Sequence, residues 1–116
     1  MSGPGVGAEQ EKAAAAHLAA AGLKVLARNV RFPVGEIDLV ALDGKLLVFV
    51  EVRFRRHADF GGALASVDAR KRARLVAAAS LFLAAHPEHA GRACRFDVIA
   101  IGADRRIDWL RGAFES

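Results

Sequence analysis

The chain is predicted to be an α/β domain with a mixed central sheet flanked by helices, in the order αβββαβ. Three observations carry that prediction. An Ala-rich helical segment precedes three β-like segments. A long helical pattern then separates the third β-like segment from a fourth. The third segment contains "LLVFVEV", nearly continuously apolar, as expected of a central strand covered on both faces.

Residues 1–8 carry Gly and Pro without an anchor and are expected to form a disordered tail, with 9–116 as a single domain. Glu9 to Ala21 is Ala-rich and acidic in its first turn, where the positive end of a helix favours carboxylates. Gly22 follows where a C′ glycine belongs. "LKVLARNVRF" (23–32) alternates loosely and reads as the first strand, punctuated by Pro33 and Gly35. "EIDLVAL" and "KLLVFVEVRF" are the second and third strands. Asp43-Gly44 between them is a strong hairpin signal. "RRHADFGGALAS" is a polar, Gly-containing loop. Ser66 is the expected N-cap of a helix from Val67 to Ala85, ended by His86-Pro87. Val67, Lys71, Leu75, Ala78 and Phe82 share one stripe of it. "CRFDVIAIG" is the fourth strand, and "RRIDWL" is a short edge strand after an Ala103-Asp104 turn. A helical crossover makes strands three and four parallel. The two helices are expected on opposite faces of the sheet, or both on one.

A length of 116 residues, 53% of them hydrophobic, suits one domain with one core. No apolar run reaches the roughly 18 residues that span a bilayer, so no membrane association is expected. The opening "MSGPGVGAEQEK" has neither a basic nor an apolar signal region, so no secretory signal is expected. The single cysteine, Cys94, excludes an intrachain disulfide and a Cys-based zinc site, and it reads as a small buried hydrophobe. A reducing cytoplasm is the expected location. The net charge of +4 is concentrated between Arg53 and Arg74, where seven Arg and Lys face two Asp. Such a patch suits a polyanion, either nucleic acid or an anionic membrane surface, although a solvated helix face beside a basic loop explains the same charges and on charge alone is slightly ahead.

Asp38, Glu51 and Arg53 are out of place in buried strands. With Asp43-Gly44 as the turn, Leu42 pairs with Lys45, Asp38 with Phe49 and Glu36 with Glu51. Asp38 and Glu51 then share a face as a diagonal pair, about 7–8 Å apart at Cα. Two acids converging in an apolar sheet repel each other and are costly to desolvate, so they require a cation. Arg53 could supply it as a structural ion pair. A hard divalent ion held by one or two carboxylates could do so equally.

The pattern of Asp38, a gap of about a dozen residues, then Glu51-Val52-Arg53 resembles the PD-(D/E)xK nuclease signature. The match is closer to the small bacterial YraN-like (UPF0102) family, which is Holliday-junction-resolvase-like. It runs through Glu11, "ARNVR" (27–31), "GEIDLVA" (35–41), "VFVEVRFR" (48–55), "FGGA" (60–63), Lys71 and "CRFDVIAI" (94–101). The resemblance implies a restriction-endonuclease-like core and a Mg²⁺- or Mn²⁺-dependent DNA endonuclease. The implied reaction is hydrolysis of phosphodiester bonds, with branched or structured DNA as the substrate. It also implies that Asp38, Glu51, the Val52 carbonyl and Glu11 surround the metal. By analogy with junction resolvases, it implies a homodimer. Arg53 departs from the motif's lysine. It stays protonated and cannot be a general base, but it can clamp a phosphate. Lys71 is the second candidate for that catalytic charge. Arg55, Arg56, Arg70, Arg72 and Arg74 would grip the nucleic-acid backbone.

Two other readings stand beside the endonuclease. One is a nucleic-acid-binding module with little or no cleavage on the same fold. The other is an interaction domain whose acids and Arg53 form a structural network. His86 and His89 flank Pro87 at a helix end and lack zinc-site spacing. Asp97 reads as a structural partner of Arg95, and Trp109 as packing.

Overall fold

The computed structural model describes residues 7–55 and 67–115. Helix α1 spans Ala8–Ala20. Strands β1 (Lys24–Phe32), β2 (Gly35–Asp43) and β3 (Leu46–Arg55) follow. Helix α2 (Ala69–Ala85) and a 3₁₀ turn (Pro87–His89) lead to β4 (Cys94–Gly102) and β5 (Ile107–Phe114). The predicted element order is observed. The fifth strand is longer than "RRIDWL" and closes the sheet as an edge. The sheet order is β1-β2-β3-β4-β5. Only the β3–β4 pair is parallel, as a helical crossover requires, and the other three are antiparallel. Among the described residues, no helix is long and apolar enough to cross a membrane.

One helix covers each face. On α1, Glu11, Ala14, Ala15 and Leu18 form the buried stripe, and small Ala side chains let the helix lie close to the sheet. Ala14, Ala15 and Leu18 pack on Val48, Val50 and Val52 of β3. On α2, Leu75, Ala78, Ala79 and Phe82 pack on Val40, Leu47 and Phe49. Strand β3 thus buries alternate side chains under different helices, which explains its continuous apolarity. Helix α1 ends as predicted at Gly22, whose φ of 95° relieves the turn.

The structure corrects three expectations. The central residues of the β2–β3 turn are Gly44-Lys45, not Asp43-Gly44, because Asp43 pairs with Leu46 and Leu42 with Leu47. Gly44 takes the positive φ (62°) at the first central position, as a II′-type hairpin requires. The N-cap of α2 is Asp68, which accepts the Lys71 N–H at 2.9 Å. Ser66 lies outside the described residues, as does "FGGA". Cys94 is exposed at the first residue of β4 and is not a buried hydrophobe.

Two contacts hold the framework. A Cβ on Gly35 would stand 2.8 Å from the Arg74 carbonyl oxygen, so glycine is what lets α2 approach the start of β2. At the other end, fully buried Asp97 accepts from Arg95 Nε (2.8 Å), Trp109 Nε1 (3.0 Å) and the Gly112 N–H (3.0 Å). The β4–β5 register shifts between Phe96 and Val98. The Asp97 carboxylate fills that bulge and pins it. Arg95 also reaches Asp43 at 3.1 Å, tying the β2–β3 hairpin to β4.

Gly35→Ala is expected to destabilise the chain by about 1–3 kcal/mol, because backbone must move to accept the methyl. Urea denaturation checks this, and an unchanged midpoint would contradict the close approach. Asp97→Ala is expected to cost about 3 kcal/mol by stranding Arg95 and the Gly112 amide. The same denaturation assay reads it.

Candidate metal centre

The β2–β3 ladder runs from Asp43–Leu46 as far as Leu39–Val50 and stops there. In that register Asp38 falls opposite Glu51, where the sequence reading had placed it opposite Phe49. Beyond the last pair, the Val52 N–H donates to Asp38 Oδ2 at 2.8 Å. A side chain replaces the partner strand's carbonyl at this point. The alternation of β2 breaks there too. Leu39 packs in the α1-side core, yet Ile37 packs with Val40 on the α2 side. On β1, Asn29 faces Asp38 across the ladder, and its φ of 53° marks the same irregularity.

This break brings acids together from three elements. One carboxylate oxygen each from Glu11 of α1 and from Glu36 and Asp38 of β2 lies within 4.8 Å of the other two. Glu11 is 3% exposed and Asp38 5%. Glu11 Oε2 and Glu36 Oε1 are buried without a hydrogen-bond partner. Glu51 adjoins Asp38 from β3, with its Oε1 3.9 Å from Arg53 Nη1. Burial and the charge of Glu51 push the Asp38 carboxyl up to about 8 against the pull of the Val52 amide, and Glu36 and Glu11 add to the rise. Burial raises Glu51 to about 7, although Arg53 and Lys71 oppose it. The donors are all hard oxygens, two of them orphaned. That set suits Mg²⁺ or Mn²⁺ and offers no thiolate or imidazole to a softer ion.

The structure therefore brings Asp38, Glu51 and Glu11 together, with Arg53 and Lys71 beside Glu51. Lys71 arrives there because the Asp68 cap and the Leu75–Phe82 stripe orient the first turn of α2 toward the sheet. Val52 contributes its amide to Asp38. The sequence reading missed Glu36 as a site residue, although its position two before Asp38 was the available signal. Of the basic residues assigned to nucleic acid, Arg70 and Arg74 are exposed on α2 and Arg72 is half-buried. The Arg55 guanidinium instead leans on Asp108 of β5 at 3.7 Å, with only 15% of its side chain exposed. Arg56 lies outside the described residues. His86 Nδ1 pairs with Glu88, and His89 Nδ1 accepts from Arg92 Nε at 2.9 Å.

A model of the uncharacterised protein family UPF0102 matches residues 10–101. A UPF0102 protein of Xanthomonas campestris pv. campestris is 57% identical over 109 residues, covering 93% of this chain and 89% of its own. Others from Pseudomonas fluorescens (50% over 114 residues; 95% and 93%) and Alcanivorax borkumensis (49% over 114; 95% and 91%) are similar throughout. None of these names states an activity.

The two raised carboxyls have a consequence for stability. Asp38 titrates near 3.8 when unfolded and about 8 when folded, and Glu51 near 4.5 and about 7. The folded chain therefore holds more protons between those limits. Their contribution is fully present below a pH of about 4 and is lost as pH rises through about 7–8. Between about pH 5 and pH 8.5, the urea midpoint of the metal-free chain is expected to fall, and Asp38→Asn to flatten the slope. An equally steep slope in that variant would remove Asp38 as its source.

Proposed function

The chain belongs to the uncharacterised protein family UPF0102, and from that premise we propose that it is a Mg²⁺- or Mn²⁺-dependent DNA endonuclease acting on branched or structured DNA. The observation that carries this reading is the buried carboxylate cluster with orphaned oxygens, flanked by two cations on the β3 and α2 sides. Purely structural acids in a small core would be expected to have found hydrogen bonds, as Asp97 does.

A divalent ion held by Asp38 with Glu11 and Glu51 would supply an activated water and charge stabilisation at the scissile phosphate. The chain's own residues prepare the rest. Asp38 is oriented by the Val52 amide and Glu51 by Arg53. Arg53 Nε is buried without a hydrogen-bond partner, so the guanidinium has an unused donor that would meet a phosphate oxygen only after turning outward. Arg53 cannot take a proton, so its role is to stabilise charge developing on the phosphate. Lys71 adds a second positive charge next to Glu51. Arg70, Arg72 and Arg74 extend the positive surface along α2 and would hold the DNA backbone in a salt-sensitive manner.

A second reading, a DNA-binding module with little cleavage, draws on one observation. Arg53 stands where the motif has lysine and lies 3.9 Å from Glu51, so it competes with the ion for that carboxylate. A panel of branched, flapped and linear DNA, incubated with Mg²⁺ or Mn²⁺, separates the two. Wild type is expected to cut branched DNA and to stop when the metal is chelated. Asp38→Asn and Glu51→Gln are expected to lose at least roughly 100-fold in rate while still binding. Cleavage that survives both substitutions would sink the assigned site. Tight binding without cleavage under either metal would favour the second reading.

A further inference from the structure

The nuclease motif names Asp38 and Glu51, but the three-acid cluster that could hold a metal among the described residues is a different set. Oxygens of Glu11, Glu36 and Asp38 lie within 4.8 Å of one another, and Glu51 is not among them. We propose that Glu36 is a metal ligand, forming with Glu11 and Asp38 a three-carboxylate seat for a divalent cation on the α1 side of Asp38. This seat shares Asp38 with the motif's Asp38–Glu51 pair but is distinct from it. The inference rests on the reading that this site takes a divalent metal.

Octahedral Mg²⁺ holds its ligands at 2.0–2.1 Å, so opposite oxygens stand about 4 Å apart. Neighbouring oxygens of such a shell stand about 3 Å apart, so the three carboxylates, with oxygens within 4.8 Å of one another, would close inward around the ion. Glu11 is 97% buried, yet its Oε2 has no hydrogen-bond partner. A carboxylate so enclosed is expensive without a cation or a donor. Glu36 Oε1 is likewise buried without a hydrogen bond. Arg31 Nε lies 3.7 Å from it, but the Arg31 side chain is 58% exposed, and such a pair contributes little. Meanwhile Arg53 and Lys71 both act on Glu51. Glu51 thus has two protein cations acting on it and Glu36 one exposed arginine, whereas the buried Glu11 Oε2 has no hydrogen-bond partner.

The test is titration of the full chain with Mn²⁺ alone, read by calorimetry and by the electron paramagnetic resonance of free Mn²⁺. Glu36→Gln and Glu11→Gln are each expected to weaken Mn²⁺ binding by about 10-fold or more. Glu51→Gln is expected to weaken Mn²⁺ binding less than Glu36→Gln does, because Glu51 adjoins the seat through Asp38 and is not one of its three carboxylates. Without metal, Glu36→Gln and Glu11→Gln should melt higher than wild type, since a repelling charge is gone, and should lose the Mn²⁺-induced rise in Tm. A merely structural Arg31–Glu36 pair predicts a lower Tm for Glu36→Gln. The proposal is overturned if wild type binds no Mn²⁺ or if Glu36→Gln binds it as tightly as wild type. It is also overturned if Glu36→Gln melts lower without metal, or if Glu51→Gln abolishes binding as completely as Glu36→Gln does. Cleavage lost in Glu51→Gln alongside normal Mn²⁺ binding in Glu36→Gln would overturn the seat and leave the endonuclease standing. Mn²⁺ bound through Glu36, with no DNA cut, would support the seat and overturn the endonuclease.

Discussion

Where β2 and β3 stop pairing, the Val52 amide turns to the side chain of Asp38, and the chemistry of the molecule is organised around that bond. A backbone amide inside a sheet must find an acceptor. Had it been the carbonyl of β2, the ladder would have continued and Asp38 would have been one more alternating residue. Because the acceptor is a carboxylate oxygen, Asp38 is held at the seam, within reach of Glu11 from one helix and Glu51 from the neighbouring strand. The arrangement is costly. Desolvation and mutual repulsion drive Asp38 and Glu51 far above ordinary carboxylates. A cation would remove that cost, and this is the strongest physical reason for reading the site as one that binds metal.

The same small domain contains the opposite solution. Asp97 is more deeply buried than Asp38, yet its oxygens accept from a guanidinium, an indole and a backbone amide. It closes the β4–β5 bulge and, through Arg95, reaches the β2–β3 hairpin. A buried carboxylate whose lone pairs are filled is structural, whereas one whose oxygens lack donors keeps its full cost of burial. The two centres also divide the labour mechanically. The Asp97 network anchors β4 and β5 to the hairpin, and Gly35 lets α2 come close enough to place Lys71 beside Glu51.

Much of this was readable from local pattern. The boundaries of β4, the Gly22 stop of α1, the stripe of α2 and the parallel β3–β4 crossover all follow from periodicity, turn chemistry and connection length. The errors share a cause as well. Asp43-Gly44 and Gly44-Lys45 are both plausible turn centres, and choosing between them shifts every cross-strand pair while preserving the face. The expected diagonal pair of Asp38 and Glu51 becomes a directly opposite one when the observed register is continued past Leu39–Val50. The N-cap of α2 is Asp68, a choice that local preference leaves open because Ser and Asp both cap well. Cys94 is exposed because it begins its strand at the sheet's end, which its residue type does not reveal.

The sequence by itself determined the element types, their order, the identity of Asp38 and Glu51 as charges out of place, and the family. These depend on spacing along the chain. Tertiary structure alone decided which acids meet. Glu36 enters the site because β2 breaks its alternation at Asp38, and Glu11 because small Ala side chains dock α1 closely on the sheet. Arg55 turned out to lean on Asp108 across the sheet, a contact no local pattern announces. Period-2 and period-3.6 patterns say which way a side chain points from its own element. Convergence depends on how separate elements pack, and that is set by long-range burial and by where a ladder runs out of partners.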